Sequence, residues 1–362
     1  MNAEPLSQYI YGVIPAAAQG VVAPAVQASG NEIIGHDGVR VIVYEDIAAI
    51  VSPAKQVDIT KMRKDVTARM LIAHQKVIEL IMQGAATVLP FRLGTYAPSE
   101  ESVTEILLKG QKLIRPLFEA IGGKIEMDVV VTWADFAAVL KEISSEDEIK
   151  KLKQSLASNP KGVSVDDQMK VGLMIKEALD RKRLEICRQI TEKLKSASCA
   201  QCRHENMDDQ MILNSAFLIE AKRRPEFERV LDELNTQFAE KINFRCVGPL
   251  APYSFYTLEL KTIRWEDVDW ARRIMGLGDT ASAEEIKKAF QQAARATHPD
   301  HCGQSAETER SFNDLNSARR IVLEYAQACE QTVKEEQIIF SEEKVRQNSL
   351  LVKVRNGNSS VA

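Results

Sequence analysis

The sequence predicts an α+β protein: two α+β domains of the ferredoxin-like type, followed by a small all-α helical hairpin. Three observations carry this expectation. Short β-rich runs alternate with helix-length amphipathic segments over residues 8–260, and this pattern restarts after Gly122-Gly123. Beyond residue 263 the β-rich runs stop and helical spacing alone remains.

In the first domain (1–122), "QYIYGVI" (8–14) reads as a strand broken by Gly12 and ended by Pro15, followed by a small-residue loop. "VRVIVYEDIAAIVSP" (39–53) reads as a β-branched run closed by Pro53. "TKMRKDVTARMLIAHQKVIELIM" (60–82) spaces Val66, Met70, Ile72, Val77, Ile78 and Ile81 for a helix, with Thr60 as its N-cap. "ATVLPFRLGTY" (86–96) is a strand interrupted by proline, hence bulged or at an edge. The next helix has Ser99 or Ser102 as its cap and ends at the glycine pair.

The second domain (123–262) opens with the apolar strand "IEMDVVVTW" (125–133), a helix over 134–143 and a polar stretch. A long helix over 167–196 follows, with Met169, Val171, Met174, Ile175, Leu179, Leu184, Ile190 and Leu194 on its apolar side. "MILNSAFLIE" (211–220) is a strand, "RPEFERVLDELNTQFAEK" a helix, and "INFRCVGPLAPYSFYTLEL" one or two strands with a proline-marked bend. This gives the domain a β-α-β-α-β character.

In the third unit (263–330), Ser282 and Glu285 form a capping box before a helix bearing Ile286, Ala289, Phe290, Ala293 and Ala294. That helix stops before Pro299. Another starts near Glu307 with Phe312, Leu315, Ala318, Val322 and Leu323 facing inward. Residues 331–362 read as a charged, partly disordered tail.

Composition narrows the function. A formal charge of −4 offers no global basic field for nucleic acid. No apolar run is long enough for a membrane span, and the N-terminus lacks a signal peptide's positive region, so a cytoplasmic protein is expected. Six unevenly spaced cysteines fit a reducing compartment. No phosphate-binding GxxxxGK loop, G-x-S-x-G elbow or cysteine–histidine pairing is present, so no enzyme site, catalytic residue or cofactor is expected. His74, amid an amphipathic helix, reads as packed structure. Cys199, Cys202 and His204 form a metal-like cluster that falls short of four zinc ligands; the competing reading is a surface turn.

Several segments together resemble the gas vesicle synthesis proteins of the GvpF/GvpL type. They are "YIYGVI", "VYEDIAAIVS", "HQKVIELIMQGAATVLPFRLGT", "IEMDVVVTW", "MILNSAFLIEAKRRPEFERVLDEL" and "GPLAPYSF", in family order. The motif residues are Pro90, Arg92, Gly94 and Thr95, then Gly248, Pro249, Pro252, Tyr253 and Phe255. The prolines and glycines read as turn-formers, while Arg92, Tyr253 and Phe255 are either structural or partner-binding. "NPKGVSVDDQMKVG" keeps only Pro160 and Gly162 of the family's stretch before the long helix. The resemblance implies a non-enzymatic accessory protein for gas vesicle assembly, binding the small hydrophobic shell protein and other vesicle accessory proteins. Shell subunits with unpaired strand edges aggregate unless covered, and strand addition is one way to cover them.

The third unit resembles the J-domain of DnaJ-type co-chaperones through "IMGL", "EEIKKAF", the His298-Pro299-Asp300 loop, and Phe312, Leu315, Asn316 and Ala318. That family engages a DnaK-type ATPase chaperone through the tripeptide and a basic helix face, here Lys287, Lys288 and Arg295. Gln291, Gln292 and Ala296 replace usual basic residues, Thr297 an aromatic and His301 a lysine. Residues 268–330 hold eight Lys and Arg against ten Asp and Glu, so docking is expected to be weakened. Alternatives are a general J-domain co-chaperone with an α+β client-binding arm, and a minor structural component of the vesicle wall.

Overall fold

The run Ser7–Pro15 forms β1, buried from Gln8 to Ile14, and the first sheet is built outward from it. The computed structural model describes residues 6–22, 34, 38–84, 86–158, 163–297, 306–332 and 336–355. It divides into two units, one containing the residues up to Ala120 together with Tyr256–Arg355, the other Ile121–Phe255.

In the first unit β1 lies antiparallel to β3 (Ile47–Ala54), which also pairs with β2 (Arg40–Tyr44). Its other edge takes β4 (Leu89–Pro90) and β5 (Tyr96–Ala97). Gly12 does not break β1. The register shifts there, and a Cβ on Gly12 would lie 2.8 Å from the Leu89 carbonyl oxygen, so glycine is what lets β4 approach.

The run 39–53 is a hairpin, not one strand. It turns at Glu45-Asp46 with Glu45 at φ 52, and Arg115 binds both carboxylates, with its Nε 2.9 Å from Asp46 Oδ1. The helix α1 (Lys64–Gln83) buries Met70, His74, Val77, Ile78 and Ile81, leaving Ile72 exposed. Asp58, rather than Thr60, caps the short 3-10 turn before it, accepting from the Thr60 N–H. At α2 (Glu100–Ile121), Ser99 Oγ accepts the Ser102 N–H.

The second unit runs β6 (Lys124–Trp133), α3 (Phe136–Ser144), α4 (Asp147–Ala157), α5 (Val165–Ser196), β7 (Ala200–Arg203), β8 (Met211–Glu220), α6 (Arg224–Gln237) and β9 (Ile242–Leu250). The sheet order is β7-β8-β6-β9, all antiparallel. The first sheet is ordered β2-β3-β1-β4, so strands taken in chain order stand 2-3-1-4 in both, the ferredoxin-like arrangement.

Two expectations change in this unit. The polar stretch contains α4, held by buried Ile149 with half-buried Leu152 and Leu156 at i+3 and i+7. On α5 a Ser164–Asp167 capping box sets the start, and Ala178, Leu179, Cys187, Ile190 and Leu194 are buried, whereas Met169 and Leu184 face solvent.

Returning to the first unit, the chain forms β10 (Thr257–Thr262), α7 (Trp265–Ile274), β11 (Thr280–Ala281), α8 (Ala283–Thr297), α9 (Ala306–Thr332), β12 (Ile338–Ile339), α10 (Glu342–Gln347) and β13 (Leu350–Arg355). Residues 338–355 are therefore not tail. β12 pairs with β11 and β13 with β10, and Ile338, Phe340, Val345 and Leu351 share one core with Val268, Leu315, Val322 and Tyr325. Their apolar residues are too few for periodicity to reveal, and they fold only because α9 offers Tyr325 and Ala328 beyond the hairpin. Leu323 lies on the exposed side of α9.

Candidate functional site

The Pro90–Thr95 motif is the turn between β4 and β5, hydrogen-bonded to both β1 and β10. The Phe91 N–H donates to the Tyr11 carbonyl at 2.9 Å, and the Ile10 N–H donates to the Thr95 carbonyl at 2.9 Å. The Arg92 N–H donates to the Leu258 carbonyl of β10 at 2.8 Å. Thr95 Oγ1 donates back to the Arg92 carbonyl at 2.6 Å, closing the turn. Gly94 has φ +79, a conformation that suits glycine. The Arg92 guanidinium reaches Glu259 at 3.5 Å while remaining 65% exposed, so it is a surface group at the rim of the turn.

Beneath this turn, Tyr9 Oη lies 2.7 Å from His74 Nδ1, and His74 also hydrogen-bonds the Phe91 backbone. Tyr9, Tyr11, Tyr96 and His74 pack edge-on or stacked with centroids 4.8 to 5.8 Å apart. Burial lowers the His74 pKa to about 4, so it is neutral in the folded protein. Between pH 6.5 and 4 the unfolded chain takes up a proton that the folded one refuses. The contribution of neutral His74 is therefore fully present above pH 6.5 and is lost on acidification by up to ~1.4 kcal/mol per pH unit toward pH 4. Urea unfolding at pH 7 and 4.5 checks this, and a His74→Gln variant is expected to lose that slope.

The second motif, Gly248 to Phe255, closes the other sheet. A Cβ on Gly248 would lie 2.9 Å from the Glu126 carbonyl oxygen and 2.6 Å from Met127 Sδ. Ser254 donates to buried Glu126 twice, from its N–H and its Oγ, each at 2.8 Å, and Ser254 Oγ is 3.1 Å from His204 Nε2. Burial, reinforced by the neighbouring Asp128 carboxylate, raises the Glu126 pKa to about 8; burial raises that of Asp128 as well. This Glu126–Ser254–His204 chain ties the motif loop to β6. Pro249, Pro252, Tyr253 and Phe255 lie along the same closing segment, with Phe255 buried.

The helical hairpin begins as expected. Ser282 N–H and Oγ donate to Glu285 Oε2 at 2.7 and 2.8 Å, and the Glu285 N–H returns to Ser282 Oγ at 3.3 Å. Ile286 enters the core, and Phe290 sits under the Arg319 guanidinium, 4.4 Å from its centroid. Lys287, Gln291 and Arg295 lie one turn apart along the exposed face, with Lys288 beside them. His298, Pro299 and Asp300 lie outside the described residues, as do Pro160 and Gly162.

The chain matches the gas vesicle synthesis protein GvpL/GvpF family over residues 7–257. It belongs to that family. Residues 273–330 match the DnaJ domain. Gas vesicle protein F of Microcystis aeruginosa (strain PCC 7806) is 28% identical over 192 residues, covering 52% of this chain and 78% of the relative. Gas vesicle protein F of Nostoc sp. (strain PCC 7120) is 25% identical over 249 residues, covering 68% and 96%. The crystal structure of gas vesicle protein GvpF from Anabaena sp. PCC7120 superposes with a TM-score of 0.57 at 25% identity, covering 69% of this chain and 97% of that one.

This GvpL/GvpF chain thus carries a DnaJ domain after the family region, and β10 lies between the two matched stretches. Glu324 of α9 pairs with Lys261 of β10 and, at 2.9 Å, with Lys353 of β13. Cys199 immediately precedes the edge strand β7 and Cys202 lies within it. Cys202 is buried and Cys199 exposed, three positions apart and so on opposite faces. Among the described residues no three His, Cys, Asp or Glu side chains group to hold a metal ion, and no helix is long and apolar enough to cross a membrane.

Proposed function

We propose that this protein is a cytoplasmic, non-enzymatic assembly factor that binds the small hydrophobic gas vesicle shell protein, assists its incorporation and recruits a DnaK-type ATPase chaperone. What supports the reading is a DnaJ domain that lies in one compact unit with the first part of the GvpL/GvpF region, the Arg92 N–H donating to the Leu258 carbonyl and Lys109 Nζ to the Gln347 carbonyl. A chaperone docked on Lys287, Lys288 and Arg295 would then act at a fixed place relative to the first sheet, not at the end of a tether. The thinned basic face makes this docking weak and dependent on proximity to client. In an ATPase assay with DnaK-type chaperone and shell protein, His298→Gln is expected to abolish stimulation while a pull-down of shell protein is unchanged. Stimulation that survives the substitution would remove the chaperone part of the reading. Loss of shell binding in the unsubstituted protein would remove the rest.

A further inference from the structure

The two edges of β10 are differently occupied. Val352, opposite Leu260 in β13, gives its N–H and C=O to the Gln331 side chain, at 3.1 and 2.6 Å, instead of to β10. The β13 ladder therefore uses residues 257, 259 and 261, and the main-chain groups of Leu258, Leu260 and Thr262 point the other way. Leu258 is satisfied there, its carbonyl accepting from Arg92 in a single parallel rung with Phe91. The motif chain then leaves β10 at Gly94 and returns to β1 as β5. Among the described residues nothing continues the ladder opposite Leu260 and Thr262. Exposure grades accordingly: Leu258 is fully buried, Leu260 half-buried and Thr262 exposed.

In front of this interrupted edge lies an open groove of about 990 Å³, lined by Gln56–Thr60, Arg92–Tyr96, Glu259, Leu260 and Thr262. Its walls mix Val57, Ile59 and Leu93 with Asp58, Thr60 and Arg92. That lining fits an extended segment whose side chains alternate apolar and polar.

We infer that this groove receives an extended strand of the shell subunit, which continues the Phe91–Leu258 rung along Leu260 and Thr262. The inference rests on the shell-binding reading above and assigns it a place. A subunit with an unpaired strand edge before assembly supplies such a segment, and pairing with β10 would cover that edge until delivery. The family motif thereby acquires a purpose: its turn leaves β10 after one rung, and Arg92 marks the mouth of the groove.

Hydrogen exchange of the full chain with purified shell protein tests this. The Leu260 and Thr262 amides are expected to slow on binding. Thr262→Pro removes the groove-side donor but leaves the pairing of Lys261 with Leu351 and the Ile263 N–H bond to the Ser349 carbonyl, and is expected to weaken binding about tenfold at an unchanged melting midpoint. Should that variant fail to fold, Thr60→Trp in the groove lining, an exposed position, is expected to block binding equally. Shell protein that binds without slowing those amides overturns the groove and leaves the function reading standing. Absence of any binding overturns both.

Discussion

Ending the chain at Thr332 is expected to unfold the DnaJ-bearing part of the first unit. The deletion removes Ile338, Phe340, Val345, Leu351 and Val352, all buried. At roughly 1.5–3 kcal/mol per buried side chain, their loss rivals the whole stability of a typical domain. It also strips β10 of its β13 partner, Tyr325 Oη of the Ile339 carbonyl it donates to at 2.6 Å, and Glu324 of one of its two lysines. Circular dichroism and tryptophan emission check the outcome. The transition reported by Trp265 and Trp270 is expected to disappear at 25 °C while that of Trp133, in the second unit, persists. Native-like melting of both would show that the strands after α9 are decoration.

The consequence reaches the dissection of function. A chain cut at Lys261 removes the DnaJ domain and also leaves β10 unpaired, with Leu258 and Leu260 facing the void left by Val352 and Val354. Loss of shell binding in such a chain would say nothing about which part binds. Point substitutions separate the parts: Thr60 and Thr262 are exposed, so changing them removes no core, and His298→Gln keeps every strand of the unit in the chain.

Much of this fold was legible where local chemistry and burial agree. The Ser282–Glu285 box, the continuous apolar run of central β1 and the alternation of β6 each give one answer. The hairpin at Glu45-Asp46 was not legible, because the turn lacks Gly or Asn and is held by Arg115 seventy residues away. Ile72, Met169 and Leu184 fit the helical period yet face solvent, since period alone does not say which of two apolar flanks meets the sheet.

The Glu126–Ser254–His204 chain was missed for a similar reason: its members come together only when β7, β8 and β6 line up. One signal was present. "IEMDVV" places two acids two residues apart inside an apolar strand, which puts both on one face of a sheet.

That pair carries the second large effect, a loss of stability in the second unit as pH rises. Glu126 titrates near its ordinary 4.5 in the unfolded chain and at about 8 in the folded one. Between these values the folded protein holds a proton that the unfolded chain has released, so each pH unit upward costs up to ~1.4 kcal/mol. The fall runs from about pH 4.5 to about 8, and Asp128, raised by burial and coupled to Glu126, shares in it with the same sign. The geometry says why the proton stays: Glu126 is buried, and Asp128 beside it on the same face is repelled by a second charge. Glu126→Gln keeps an acceptor for Ser254 and a donor for Asp128 without a charge, so it is expected to flatten the profile and to stabilise the unit most at high pH. Denaturant titrations followed through Trp133 at pH 5.5, 6.5, 7.5 and 8.5 decide it, and a level midpoint in the unsubstituted protein would sink the argument. Because His74 acts with the opposite sign, acidification weakens the first unit while a rise in pH weakens the second. A single global titration would average the two slopes and hide both, so the tryptophans must be read separately.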